Sequence, residues 1–264
     1  MTILFYDSTF DGFLTAVFEV FEFKYQDVQI VHADTFQNSF FADPIQIITN
    51  QEKAERVLKR LEKQLEKSGV QDILYAFLSE APTRESILLQ AISYAIENSK
   101  KNVLKDYSNP AVLQISKFVK SVNRERHRMK AFIRFELLKD GIYFAEIFPD
   151  FDVLTLIITH FKNRYQDQKW LIYDGKRGYG VYYDLENVEI ISFDQEAQNN
   201  LKNKENLFDA KEVEYQKLWI EYFDHTNIKE RKNTKLHVQH VPKRYWKYLT
   251  EKKSRELIRK LYDL

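Results

Sequence analysis

Basic side chains are concentrated in residues 117–134, where seven Lys or Arg stand against a single acid, Glu125. Guanidinium groups form paired hydrogen bonds with phosphate oxygens, and each neutralised phosphate adds affinity by releasing counterions. This stretch therefore predicts binding of a nucleic-acid backbone. The candidate residues are Lys117, Lys120, Arg124, His127, Arg128, Lys130 and Arg134. The alternative is a solvated helix face that holds no ligand.

A second basic stretch, residues 229–260, carries twelve Lys or Arg against three acids. Within it, Lys243, Arg244 and Lys247 surround Trp246. A base can stack on such an aromatic ring while the cations hold the backbone, so we add these four residues and Arg164 to the candidate nucleic-acid surface. The alternative is that Trp246 anchors a hydrophobic core, because Trp side chains are mostly buried.

The opposite charge collects at the start of the chain. The first fifty residues contain seven acids and one base, Lys24, although the whole chain has a formal net charge of only +1. An uneven distribution of this kind is typical of proteins that present one face to a polyanion.

Two residues are candidates for acid–base chemistry. Asp7 follows the first predicted strand, where open α/β sheets commonly place their sites. His160 lies in the segment HFKNRY and could act as a general acid or base. The structural alternatives are helix capping for Asp7 and a hydrogen-bonded structural role for His160. The catalytic residue, if there is one, stays unassigned.

We expect no metal and no cofactor. His237 and His240 have a spacing that could bind a metal, but no third ligand accompanies them in a known pattern. No GxGxxG, Walker A or GxSxG motif is present. The chain has no Cys, which excludes thiolate nucleophiles, disulfides and Cys-held clusters.

The composition is that of an ordered globular protein of 264 residues, with 39 aromatic side chains (20 Phe, 16 Tyr and 3 Trp) and few Gly or Pro. The sequence begins without the pattern of a secretory signal, and no apolar run reaches the length of a membrane span. We therefore expect a cytoplasmic protein that makes no contact with membranes.

The residue pattern predicts a strand–helix–strand opening, with strands at 2–6 and 28–32 and a helix between them. Further helices are predicted from Asn50 to about Lys67, and at 71–80 and 83–98. We place a loose domain boundary near 100–108, which gives an N-terminal α/β and helical region at 1–104 and a second domain at 105–264.

Asn109 and Pro110 form a helix start, because Asn caps a free amide and Pro lacks one. Alternation from Ala131 predicts a strand that turns at Asp140-Gly141 into a second strand, 142–148. A helix at 153–165, three strands at 170–173, 180–183 and 188–193, a polar loop at 194–210 and terminal helices follow. The predicted fold class is α+β, in which an N-terminal β-α-β unit with helices precedes an antiparallel sheet flanked by helices.

Four segments carry a resemblance to a known family: YDSTFDGFLTAVFEVF, NRERHRMKAFIRF, HFKNRYQDQKWLIYD and PKRYWKYLTE. Through them nearly the whole chain resembles the bacterial probable DNA metabolism protein family. The family is a domain of unknown function, fused in some bacteria to a uracil-DNA glycosylase-type domain and often encoded beside a radical SAM protein that resembles a DNA repair lyase. The resemblance implies a link to DNA repair or modification. It assigns no catalytic residue.

Sixteen residues match the family pattern, without a role implied for any of them: Tyr6, Asp7, Phe10, Gly12, Arg124, His127, Arg128, Phe132, Arg134, His160, Phe161, Arg164, Trp170, Pro242, Tyr245 and Trp246. Because nothing of glycosylase length follows Leu264, we expect the stand-alone form.

Three functional hypotheses remain open. The first is a DNA-binding accessory protein of repair, whose radical SAM or uracil-DNA glycosylase-type partner performs the chemistry. The second is an enzyme that acts on a damaged base or nucleotide, with Asp7 or His160 as the acid–base group. The third is a scaffold that binds only a protein partner, through exposed aromatic side chains among charged ones.

Overall fold

The computed structural model describes residues 2–33, 44–98, 102–193, 207–226 and 233–252. The chain divides into two compact units, residues 1–124 and 125–264. The division lies inside one helix, so that this helix contributes to both units. The domain boundary near 100–108 stays a prediction.

The first unit opens as a parallel β-α-β arrangement. Strand β1 (Thr2–Tyr6) leads into helix α1 (Phe10–Glu22), which returns to β2 (Val28–His32), and β3 (Pro44–Gln46) pairs on the other side of β1. Both neighbours run parallel to β1, so the carboxyl ends of all three strands lie at one edge. The predicted strand–helix–strand opening is confirmed.

Helices cover this small sheet. Helix α2 (Gln51–Phe77) begins where Asn50 accepts a hydrogen bond from the Lys53 amide, and α3 (Arg84–Glu97) follows. The sequence predicted two helices between 50 and 80. The structure instead has one helix with a break at Glu66, where the backbone takes φ 62° and ψ 173°. The core contains Leu4, Phe13, Val17, Leu61 and Leu88, all with no more than 1% of their surface exposed.

Helix α4 (Pro110–Phe132) begins as predicted. The Asn109 side chain accepts hydrogen bonds from the amides of Ala111 and Val112, which caps the first turn. At its other end the helix runs further than the sequence predicted. The amide of Ile133 still bonds to the Met129 carbonyl, so the strand expected from Ala131 shortens to β4 (Glu136–Leu137).

The second unit contains a five-stranded sheet in the order β4, β5 (Tyr143–Ile147), β6 (Trp170–Asp174), β7 (Tyr179–Tyr183) and β8 (Val188–Ser192). We expected an antiparallel sheet, but β5 and β6 are parallel and the sheet is mixed. The reason is the connection, since α5 (Ile158–Arg164) lies between these strands in the chain and a parallel pair requires such a crossover. The α+β class is confirmed.

Further helices follow the sheet in the described chain. They are α6 (Ala210–Thr226), α7 (Thr234–His240) and two 3-10 segments, Lys243–Tyr248 and Thr250–Lys252. Most of the predicted loop at 194–210 and the last predicted helix beyond residue 252 lie outside the described residues. Within the described ranges, no helix combines the length and the apolar composition that a membrane span needs. A cytoplasmic location stays a prediction.

Candidate functional site

Lys130 and Arg164 both lie close enough to His160 in the second unit for their charges to act on its imidazole. Lys130 comes from the last turns of α4, while His160 and Arg164 come from α5. Burial lowers the pKa of His160, and the positive charges of Lys130 and Arg164 lower it further. The His160 ring packs edge-on against Phe161 at a centroid distance of 5.0 Å. The structure thus joins two predicted binding residues to one acid–base candidate, and we call these three the basic cluster.

Other predicted cations have structural partners. Arg244 pairs through Nη2 with Oε2 of Glu125 at 2.5 Å, and also pairs with Asp150. Glu125 is only 1% exposed, and it accepts further hydrogen bonds from the Asp150 amide and the Tyr245 hydroxyl. The Arg244 charge therefore serves first to neutralise a buried carboxylate.

Arg134 is engaged in a similar way. Its guanidinium lies 3.6 Å from Glu251 and 5.8 Å from the centre of the Trp219 ring, and it donates hydrogen bonds to the carbonyls of Ala131 and Ile133. Half-buried Arg128 lies 5.5 Å from the centre of the Tyr245 ring. These cations therefore stabilise the end of α4 and the side chains that pack on it, which are Trp219, Tyr245 and Glu251.

The aromatic platform predicted at Trp246 is only partly available. The Trp246 ring is half-buried, its Nε1 donates to the Val241 carbonyl at 2.9 Å, and Lys252 lies 5.4 Å from its centre. The neighbouring Lys247 lies 4.3 Å from the centre of the Phe148 ring. The exposed members of the predicted set are Lys117, Lys120, Arg124, His127, Arg164, Lys243, Arg244 and Lys247.

Asp7, the other acid–base candidate, anchors the start of α1 in the first unit, where Thr9 is the N-cap and accepts a hydrogen bond from the Gly12 amide. Its carboxylate accepts hydrogen bonds from the amide and hydroxyl of Thr9 and from the hydroxyl of Thr49. Burial raises the pKa of Asp7, but these hydrogen bonds outweigh burial and hold the pKa below its ordinary value. Gly12 leaves room for this arrangement, because a Cβ at that position would clash with Asp7 Oδ1. A catalytic role for Asp7 stays a prediction.

Sequence reasoning missed a polar network at the carboxyl ends of β1 and β2. His32, the last residue of β2, places Nδ1 3.0 Å from the Ser8 hydroxyl and Nε2 2.6 Å from Oε1 of Glu85. The same Glu85 oxygen accepts from the Tyr6 hydroxyl at 2.9 Å and from Nε of Arg84 at 2.7 Å. The signal that could have found this network is the position of His32 at the end of a predicted strand. Residues that end neighbouring parallel strands lie at the same edge of a sheet.

Glu85 is ionised within this network. Burial raises its pKa, but hydrogen bonds from His32 and Arg84, together with their charges, outweigh burial and lower the pKa to about 2. Arg84 and Glu85 are both 4% exposed, whereas the His32 side chain keeps 23% of its surface exposed. The network is thus a buried ion pair whose imidazole reaches the surface of the unit.

Residues 82–251 match the family model for a domain of unknown function, DUF4130. The chain belongs to the DUF4130 family. The DUF4130 match contains the whole basic cluster and both Arg84 and Glu85, but it begins after Asp7, Ser8 and His32. A comparison with curated proteins found no match.

Proposed function

We propose that this chain is a DNA-binding accessory protein of bacterial DNA repair or modification, which acts with a radical SAM or uracil-DNA glycosylase-type partner. The observation that carries the proposal is the basic cluster, where Lys130, His160 and Arg164 come from two helices to one electrostatic neighbourhood. A phosphate oxygen at the basic cluster would be attracted by two permanent positive charges, those of Lys130 and Arg164. His160 would add a third when its imidazole is protonated. Exposed His127 lies on α4 within the same unit, one turn before Lys130.

The resemblance to the DNA metabolism family is the reason why we propose DNA as the ligand of the basic surface. Basic surfaces bind RNA, DNA and acidic proteins alike, so charge alone names no ligand. A family linked to repair genes favours DNA, and the same link supports the proposed partner.

The test is fluorescence anisotropy of the purified chain with labelled single-stranded, duplex and uracil-containing DNA. We expect micromolar or tighter binding at low salt, and weaker binding when Lys130 and Arg164 are both changed to Ala. Arg60→Ala removes the same kind of charge from an exposed position on α2 and serves as the matched control. Equal affinity of the double variant and the control variant would remove the basic cluster from the proposal.

A second candidate function is an enzyme that acts on a damaged base or nucleotide. The observation that favours it is the lowered pKa of His160, since a neutral imidazole at neutral pH is a competent proton acceptor. One variant distinguishes the two candidate functions. His160→Gln would abolish turnover of a lesion-containing oligonucleotide in the enzyme, whereas in an accessory protein there is no turnover to lose.

An exposed apolar stripe on α6 supports the partner-binding part of the proposal. Tyr215, Leu218, Trp219 and Tyr222 follow helical spacing and are 49%, 61%, 39% and 62% exposed. A stripe of this kind suits a partner helix or groove. We expect Leu218→Asp with Tyr222→Asp to abolish copurification of the partner and to leave DNA affinity unchanged. If both properties survived, the partner would bind elsewhere.

A further inference from the structure

The turn between β1 and α1 holds a serine in an unusual backbone conformation. Ser8 has φ 66°, in the left-handed region that side chains other than Gly rarely adopt. It lies two residues after the end of a strand and two before the start of a helix. A sharp strand-to-helix turn of this type exposes a nucleophilic serine in α/β hydrolases. Strain at one residue is a reason to look for chemistry there.

The neighbours of Ser8 are those that such chemistry needs. His32 Nδ1 lies 3.0 Å from the Ser8 hydroxyl, and Nε2 of the same ring lies 2.6 Å from the buried carboxylate of Glu85. We propose that Ser8, His32 and Glu85 form a catalytic triad for the hydrolysis of carboxylic esters. This activity rests on residues of the first unit, and it does not depend on DNA binding by the basic cluster.

The tautomer of His32 decides whether the triad can work. Nη2 of Arg84 lies 2.6 Å from Nε2 and 3.2 Å from Nδ1, so it can donate to whichever ring nitrogen carries no proton, whereas Glu85 can only accept from Nε2. Arg84 already donates from Nε to Glu85 and from Nη1 to the Phe77 carbonyl, both at 2.7 Å, and its guanidinium lies 4.2 Å from the centre of the Phe77 ring. We assign the Nε2 proton to the bond with Glu85, because an ionised carboxylate is the strongest acceptor within reach of the ring. Nδ1 is then the acceptor for the Ser8 proton.

The reaction follows from this tautomer. Ser8 Oγ attacks the ester carbonyl carbon, its proton passes to His32 Nδ1, and the carbonyl electron pair moves onto the oxygen. Collapse of this intermediate breaks the bond to the alcohol, which leaves with the proton from Nδ1, and water then releases the acid by the same steps. The amides of Phe10 and Asp11 belong to the first turn of α1 and have no acceptor within the helix, so in the proposed triad they are assigned as donors to the oxyanion.

A fluorophosphonate probe tests the proposal, because it phosphonylates an activated serine with loss of fluoride. We expect mass spectrometry of the full chain to find the label on Ser8, and p-nitrophenyl acetate to be hydrolysed. Ser8→Gly abolishes both signals. Gly also suits the left-handed conformation, so this variant is expected to unfold at a temperature no lower than the original chain. Exposed Ser86→Ala is the matched serine control and keeps both signals.

Further variants test the separate roles of His32 as the base and of Glu85 as the residue that positions it. His32→Gln lowers the labelling rate by about 100-fold or more. Glu85→Gln lowers the labelling rate, and Glu85→Asp, which keeps the carboxylate, restores part of it; recovery of the rate by the shorter acid would not be expected from a purely structural role. Absence of label on the folded original chain, or equal labelling of Ser8→Gly, would overturn the triad.

Discussion

At the scale of single residues, neighbouring basic side chains have different roles. Arg244 pairs with buried Glu125, while the adjacent Lys243 is exposed. Removing Arg244 would leave a carboxylate that is 1% exposed without its cation. A count of charges along the chain cannot make this distinction, because the partner of Arg244 lies far away in the sequence.

We expect Arg244→Ala to lower the free energy of unfolding by about 1–3 kcal/mol, because a buried charge loses its partner while Asp150 and Tyr245 remain. Lys243→Ala is expected to change it by less than about 0.5 kcal/mol, as for most exposed positions. Urea denaturation of both variants measures the difference. Equal stability of the two variants would show that Arg244 is free for other roles.

The buried ion pair of the first unit predicts a pH dependence of stability. The pKa of Glu85 falls from its ordinary value of 4.5 to about 2 on folding, so the ionised carboxylate favours the folded state. This contribution is complete above pH 4.5 and is lost as the pH falls toward about 2.

Glu85→Gln should therefore be less stable than the original chain at about pH 6, and the gap should narrow as the pH falls to about 3. Denaturant midpoints of both proteins across this range test the claim. A gap that stays constant would mean that Glu85 gains no stabilisation from its charge.

At the scale of elements, local sequence rules predicted the two helix starts that an Asn caps, whereas the start expected at 71 was wrong and the helix expected from 153 begins at Ile158. The Asn50 and Asn109 caps form as expected, because capping depends on a few neighbouring atoms. The ends of helices and the pairing of strands were harder to predict. The parallel β5–β6 pair follows from the α5 connection, and the triad geometry depends on which strands become neighbours, which is a property of the folded chain.

The meeting of α4 and α5 makes a prediction about His160. Lys130 and Arg164 hold its pKa down in the free protein, after the effect of burial. A bound phosphate would offset both charges and raise that pKa again, so DNA binding takes up a proton. We expect the affinity for DNA to rise as the pH falls from about 7.5 to about 5.5, because protonated His160 then adds a third positive charge beside the phosphate.

His160→Gln should remove this pH dependence, while His127→Gln on the exposed face of α4 serves as the control for general histidine titration. Anisotropy at several pH values provides the measurement. If the original chain and His160→Gln had the same pH profile, His160 would lie away from the bound phosphate.

At the scale of the whole molecule, the sequence showed where the basic residues lie. It did not show which of them pair with acids and which are left to bind a ligand. The counts over 117–134 and 229–260 locate the basic segments in the sequence and say nothing about their partners. Arg134 and Arg244 then turned out to pair with acids within the second unit, whereas Lys130 and Arg164 come together with His160. Only the folded chain separates cations that stabilise the protein from those that can meet a ligand.

The most direct test of the central claim, that the basic cluster binds DNA phosphates, is the slope of log affinity against log salt concentration. For the original chain we predict a steep negative slope, and for Lys130→Ala with Arg164→Ala a slope that is shallower by about 2, since each lost phosphate contact removes about 0.9. Arg60→Ala should keep the original slope. A slope near zero for the original chain, or an equal slope in the double variant, would contradict the account.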